Sequence, residues 1–437
     1  MNLAKESFYT LMFQVSGFLC ATVTGMIVAR ALGPTNKGII SVALLCPYLF
    51  FTIFNFSIGL GIIHHTGKRQ YELKAFAGSA LALFAVLTIM SLLAFFATVF
   101  FFRHILYRGI ELKYLMVAGI SIPFNLMLYC FSSILQGNME IKSYNIANQM
   151  LYYSNLLFVL LFLLLSRLTA IEAVIAGISG IVIGGIVALL KVLRMAGGIS
   201  FDIELTKSLM RDGGKIQIGA IATFLYTQAN VFILNYYAPP AEVGFYSVAL
   251  SLASVLFFFS VSLEVGLYPK VSHATMEEAV HLVQVATRQI LLISALAAVL
   301  VAVFAKEIVG IYGGSAFLPA VTPLILLLPG TVIFIIPKIL ATLWVRKGWF
   351  FPLTLIAGCT ALISICFNIL LIPKYGANGA ALATTLTYFF SGVVGLFLFW
   401  KFANRDLGQL LIPNRNDLTL FLSIYREISN KFFRLIH

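Results

Sequence analysis

Charge is what these 437 residues have least of: Asp, Glu, Lys and Arg make up 10% of the chain, against about 25% in soluble domains. Acids are the scarcer sign, 16 Asp and Glu against 29 Lys and Arg, for a formal net charge of +13. With 61% apolar residues and a mean hydropathy of +1.00, a water-facing globular domain is excluded, because no soluble core absorbs that much apolar surface. Cysteine is sparse too. Cys20, Cys46, Cys130, Cys359 and Cys366 all fall inside apolar runs, where they act as small hydrophobes, and their spacing fits neither a disulfide framework nor a metal site. His64 and His65 are adjacent and so point to different faces of a helix, while His104, His273, His281 and His437 are scattered in connections; no metal centre is expected. The chain also lacks GxSxG, Walker, GxGxxG and DxD-type motifs, and no connection is long enough to fold as a catalytic domain. An enzyme is therefore not expected.

What the chain does have is long apolar runs. About 20 residues cross ~30 Å of hydrocarbon, and the runs predict spans at 7–31, 38–63, 75–101, 112–136, 145–166, 171–195, 214–238, 243–269, 285–305, 319–345, 350–373 and 377–400. Twelve spans result, all helical, because a backbone in lipid must satisfy its own hydrogen bonds and these runs are continuous, unlike barrel strands. The fold class is an all-α polytopic membrane protein. The first run, preceded by Lys5, is too long for a signal-peptide core and is read as a membrane anchor.

An internal repeat organises the spans. Shifted by 206 residues, Pro34 falls on Pro240, Gly38 on Gly244, and Ser41-Val42-Ala43-Leu44 on Ser247-Val248-Ala249-Leu250; the same shift lays span one on span seven and span six on span twelve. Six spans per half is an even number, so the two halves are parallel repeats about an axis along the membrane normal. This divides the chain into an N-terminal six-helix bundle (1–198), a cytoplasmic linker helix (199–213, containing ISFDIEL), a C-terminal six-helix bundle (214–402) and an amphipathic tail (403–437). In the tail Leu418, Phe421, Leu422, Tyr425, Ile428, Phe432 and Leu435 recur at helical spacing, as in a helix lying on the inner leaflet. Twenty Lys and Arg fall at the N-terminus, in even connections and in the tail, and eight in the odd connections. Both termini are therefore expected in the cytoplasm. The positive charge reads as a topology and anionic-lipid signal, with membrane lipids and not nucleic acid as partners.

Chemistry must then come from polarity inside the spans. Glu264 and Lys338, in spans eight and ten, are the charges furthest from any connection, and at roughly 3 kcal/mol or more apiece such groups face a watery cavity or a partner. A functional pair of sites, a structural Glu264–Lys338 pair and a snorkelling Lys338 all stay open. Gln14 and Arg30 in span one, Asn55 in span two, Asn125 in span four, Gln228 and Asn230 in span seven and Asn368 in span eleven are candidates for a polar cavity or for interhelical hydrogen bonds. Pro47, Pro123, Pro329 and Pro337 invite kinks. Gly177, Gly180 and Gly184 form a face for close helix packing.

RALGP at 30–34 followed by Lys37-Gly38, QGNME at 136–140, LYPKVS at 267–272 and YGANGAALAT at 375–384 occur in an order and spacing that resemble the polysaccharide-biosynthesis group of the multidrug/oligosaccharidyl-lipid/polysaccharide exporter superfamily, which includes O-antigen flippases. The resemblance implies two six-helix bundles around a central V-shaped cavity and alternating access for a lipid-linked oligosaccharide. The expected function is translocation of an undecaprenyl-pyrophosphate-linked glycan across a bacterial inner membrane, with no cofactor; Lys338 is the candidate anion site and Glu264 the candidate for coupling to H+ or Na+, beside the structural pairing of the two. A polysaccharide polymerase and a chain-length regulator are the expected protein partners. The lipid II flippase branch carries an arginine-rich start of span one; here the residues are Gln14, Ser16, Thr22 and Thr24. A small-molecule or multidrug cation antiporter of the same superfamily is the alternative. A membrane-embedded polymerase or acyltransferase would need a large outer loop or a buried His/Asp/Arg constellation, and neither is visible.

Overall fold

The structure, a computed structural model, describes residues 3–68, 70–258, 260, 267, 271, 274–403 and 407–412. Among these residues every regular element is helical: α1 (Leu3–Phe54), α2 (Ile58–Lys68), α3 (Leu73–Leu106), α4 (Leu112–Gly119), α5 (Ser121–Gly137), α6 (Ile141–Leu164), α7 (Ala170–Ala196), α8 (Ile203–Tyr237), α9 (Pro240–Ala253), α10 (Met276–Val303), α11 (Ala305–Gly313), a short 3-10 helix (Ser315–Ala320), α12 (Val321–Arg346), α13 (Phe350–Ala403) and a single turn, α14 (Gly408–Leu411). Glu264 and nearly all of the tail 403–437 lie outside the described residues.

Among the described residues, ten helical stretches are long and apolar enough to cross a membrane, and two of them are far too long for one crossing: Met12–Phe54 with 43 residues and Phe351–Phe402 with 52. At 1.5 Å per residue these would run about 65 and 78 Å, more than twice the hydrocarbon thickness. Each folds at a glycine that holds a positive φ, Gly33 at φ 73° and Gly376 at φ 54°, a conformation a side chain would oppose. Taken as two spans apiece, they restore the twelve spans expected from hydropathy. Pro34 follows the first turn directly, at the N-terminal end of the next helix, where its missing N–H costs nothing.

Among the described residues, spans four and two are broken where the apolar runs are continuous. Span four ends one helix at Gly119 and starts the next at Ser121, and Gly119 is four residues before Pro123, whose ring clashes with the carbonyl at that offset. Span two stops at Phe54 and restarts at Ile58. Here the Oδ1 of Asn55 accepts the Ser57 N–H at 2.7 Å, closing an Asx turn that competes with the helix. Phe56 and Ser57 both take φ 47°, a left-handed conformation costly for such residues, so it persists only because its surroundings hold it.

Packing between helices relies on small residues, since lipid supplies no hydrophobic drive between spans. A Cβ on Gly180 would lie 2.5 Å from Leu151 Cα, and one on Gly184 would lie 2.4 Å from the Ala147 carbonyl oxygen. Glycine on α7 therefore lets α6 come to backbone contact. The largest apolar core runs from Val28 to Ala381 and includes residues of both halves, such as Ala43 and Ala249. A second core, with Ile335, Leu343, Trp344 and Phe399, belongs to the C-terminal half alone. The halves thus share a core at the end carrying the Gly33 and Gly376 turns, and α8 adds Leu205 and Leu209 to it where α8 packs against α2.

Candidate functional site

The shared end is made by the repeat itself. The turn residues of the two halves meet: a Cβ on Gly38 would lie 1.8 Å from the Pro240 carbonyl oxygen, and one on Gly244 would lie 2.1 Å from that of Pro34. Only glycine on both sides permits this crossing of α1 and α9. Around it, an Arg30 guanidinium N–H donates to the Ile311 carbonyl, and Asn235 donates to the Arg108 carbonyl at 3.3 Å. Each of these bonds joins one half to the other.

Below the crossing lie three adjoining cavities of about 500, 480 and 770 Å³. The first two share Gly25, Lys37, Tyr152 and Ser251, and the second and third share Tyr48 and Gln228. Together they form a path from the Gly38–Gly244 crossing to the break in span two. Its walls carry amides and hydroxyls, among them Gln14, Thr22, Asn125, Asn155 and Ser247. The charged residues among those lining the three cavities are Lys37 and Lys215, with no carboxylate.

Two glycine notches on the first span admit side chains from neighbouring helices. A Cβ at Gly17 would lie 2.1 Å from Oε1 of Gln149, and one at Gly25 would lie 2.0 Å from the Tyr312 hydroxyl oxygen. Both visitors line the first cavity.

At the far end of the path, α8 closes the break in span two. The Gln217 amide donates to the carbonyls of Thr52 (2.6 Å) and Ile53 (3.0 Å), and its oxygen accepts from the Ser57 hydroxyl at 2.8 Å. Gly213 packs so close that a Cβ would lie 2.3 Å from the Phe56 carbonyl oxygen. Beyond it the His65 Nε2 lies 3.0 Å from Asp212, which also accepts from Lys215 at 2.8 Å. The carbonyls freed by the broken helix are thus satisfied from the other half, as broken spans in a membrane require.

The structure gathers some of the sequence candidates and separates others. Gln14 lines the first cavity, Asn125 the second and Asn55 the third. Lys338 stands behind the first cavity, its Nζ 5.1 Å from the centroid of Phe257, which lines that cavity. Asn230 is buried in the second half, donating to Tyr246 and, at 3.0 Å, to Thr384. Asn368, fully buried, donates to the Ser364 carbonyl at 2.8 Å. Arg30 is exposed at the crossing. Sequence reasoning counted Lys37 among the connection charges, yet it lines two cavities. The repeat held a clue: 206 residues on, its counterpart is Val243, wholly buried. A lysine at the position of a core valine needs a watery space of its own.

These features define an all-helical, multi-span membrane protein with polar cavities between its two halves. The chain belongs to the polysaccharide biosynthesis protein family, whose profile matches residues 3–275. Its fold is similar to that of the lipid II flippase MurJ in an inward closed conformation, with a TM-score of 0.79 at 14% identity over 96% of this chain and 93% of that one. It is also similar to an inward-facing multidrug resistance MATE family transporter, with a TM-score of 0.70 at 13% identity over 90% of this chain and 98% of that one. A protein of Haloferax volcanii named "probable low-salt glycan biosynthesis flippase Agl15" is 26% identical over 212 residues, 45% of this chain and 44% of its own. The chain spans about half the length of the curated relatives it matches.

Proposed function

We propose that this protein translocates an undecaprenyl-pyrophosphate-linked oligosaccharide, an O-antigen or other surface-polysaccharide unit, from the inner to the outer leaflet of a bacterial inner membrane. The observation that carries this reading is the sign of the cavity charge: Lys37 lines the first two cavities with no carboxylate among their described lining residues, while Lys215 of the third is paired with Asp212. A pyrophosphate linkage is anionic, and low-dielectric walls strengthen its attraction to an ammonium group. A polar head of this size cannot cross hydrocarbon, so it passes between the halves while its lipid tail stays in the bilayer. The family description and the name of the Haloferax relative support a glycan substrate. A multidrug resistance transporter shares the fold, but a cationic substrate would meet the Lys37 ammonium and no carboxylate among the described residues lining the first two cavities.

In this mechanism the cytoplasm faces the end of the path at the break in span two and the outside faces the Gly38–Gly244 crossing. Lys338 receives the pyrophosphate from the inner leaflet, and Lys37 holds it once the inner end has closed. Gln14, Asn55 and Asn125 bind the head along the way; Asn230, Asn368 and Arg30 keep the framework. Glu264 is the coupling group for H+ or Na+, and a polymerase and a chain-length regulator take over the product outside.

The test uses cells whose surface glycan depends on this protein. Lys37→Ala and Lys338→Ala should each abolish display at normal protein abundance and leave lipid-linked glycan accumulating inside, while the Arg variants keep part of it. Normal display by both Ala variants would overturn the reading.

A further inference from the structure

Tyr48 stands at a junction of the path. It and Gln228 are the residues that the second and third cavities share, so a head moving from one cavity to the other passes both. The Tyr48 ring lies 5.4 Å from that of Phe51 and 6.0 Å from that of Phe224. Even with these neighbours, Tyr48 is 44% exposed. An aromatic side chain left open on a polar path forgoes burial, and its uncovered surface is where the apolar face of a ligand completes the contact.

The spacing from Lys37 says which part of the substrate arrives there. Both residues belong to the helix that follows the Gly33 turn, and both line the second cavity. From 37 to 48 is 11 residues, three helical turns to within about 20°, so the two share a face and stand roughly 16 Å apart along the axis. A pyrophosphate held at Lys37 therefore brings to Tyr48 a sugar further along the glycan and not the one that carries the phosphate. A sugar ring fits this place. Its C–H hydrogens carry partial positive charge and meet the negative face of an aromatic ring, and its hydroxyls can both donate to and accept from the Gln228 amide. A phosphate would be repelled by the same face. An organic cation would be drawn to the ring but would meet the Lys37 ammonium in the same cavity.

Resting on the flippase reading, we infer that Tyr48, together with Gln228, is a stacking subsite for a sugar beyond the first, which makes the protein prefer a lipid-linked oligosaccharide to the same lipid bearing one sugar. Lys37 supplies affinity for the pyrophosphate that both lipids carry. A glycan too short to span the interval from Lys37 leaves the Tyr48 ring uncovered.

The experiment measures binding of two probes to the purified full chain in lipid nanodiscs: undecaprenyl pyrophosphate bearing one N-acetylhexosamine, and the same lipid bearing a linear tetrasaccharide. Wild type should bind the tetrasaccharide probe about five- to tenfold more tightly, the scale of one aromatic contact. Tyr48→Leu, which keeps apolar bulk against Phe51 and Phe224 but has no ring face, should lose that preference and bind the one-sugar probe as before. Tyr48→Phe should keep the preference, because the face and not the hydroxyl carries it, and this variant serves if the Leu variant fails to fold. Gln228→Leu should lower the preference in part, and Lys37→Gln should weaken both probes equally. Equal binding of the two probes by wild type, or a folded Tyr48→Leu that keeps the full preference or loses both probes alike, would overturn the subsite and leave the flippase reading intact. Wild type that binds neither probe would overturn both.

Discussion

Replacing Gly38 by alanine should hold open the end of the molecule at the α1–α9 crossing, the outer end in the proposed mechanism. The new Cβ would lie 1.8 Å from the Pro240 carbonyl oxygen and 3.0 Å from the Gly244 nitrogen. Ordinary contact needs about 3.5 Å, so the two helices must part by roughly 1.5 Å. Both obstructing atoms are backbone, and no rotamer change relieves them. Overpacking of this kind costs about 1–3 kcal/mol, which lowers the closed-to-open ratio by roughly 5- to 150-fold. Gly244→Ala meets the Pro34 carbonyl at 2.1 Å and should act alike. Because both relieve themselves by the same separation, the double variant should add little. The assay labels a cysteine at Ser251, which lines two of the cavities, with a membrane-impermeant maleimide applied from outside, after the five native cysteines are replaced. Labelling should rise at least about fivefold in Gly38→Ala, by the same arithmetic, and glycan display should fall. Unchanged labelling at normal abundance would refute the crossing as an outer gate.

Three further outcomes are expected. Reporter fusions at Lys142, Arg194 and Arg405 should report cytoplasm and those at Arg108 and Lys306 the outside; Arg405 on the outside would refute the twelve-span count. Gln217→Leu leaves the Thr52 and Ile53 carbonyls without their side-chain donor and should destabilise the detergent-solubilised protein by about 1–3 kcal/mol per orphaned group, seen as a lower melting temperature; Asn230→Leu should do the same while leaving probe binding by the folded fraction unchanged. Glu264→Gln should fold and lose the dependence of transport on an ion gradient if that carboxyl couples, whereas lower abundance restored by Lys338→Met would show a structural pair.

Much of this architecture can be read from residue type alone. Twelve apolar runs and a parallel repeat follow from composition and spacing, because a lipid-embedded backbone has few options. The repeat even names the closing contact, since Gly38 and Gly244 occupy equivalent places. That they touch is a property of the assembled halves and not of either segment. The break in span two is hidden for a similar reason: Asn55 starts it, but Gln217, some 160 residues away in sequence, makes it tolerable. Polarity inside a span does not separate cavity from framework. Asn125 and Asn230 look alike in sequence, yet Asn125 lines the second cavity and Asn230 is tied to Tyr246 and Thr384. Lys37 misleads in the opposite direction, because its place beside a turn suggests a surface charge, and only the folded turn brings it to the cavity wall.

The most direct measurement reconstitutes the purified protein in liposomes with undecaprenyl pyrophosphate bearing a fluorescent sugar, and follows access of that sugar to a membrane-impermeant quencher. Wild type should expose the inner-leaflet half of the probe, making nearly all of it quenchable, while Lys37→Ala leaves that half protected. Protection unchanged by wild-type protein, alongside uptake of an organic cation by the same liposomes, would contradict the account and place the chain with the antiporters.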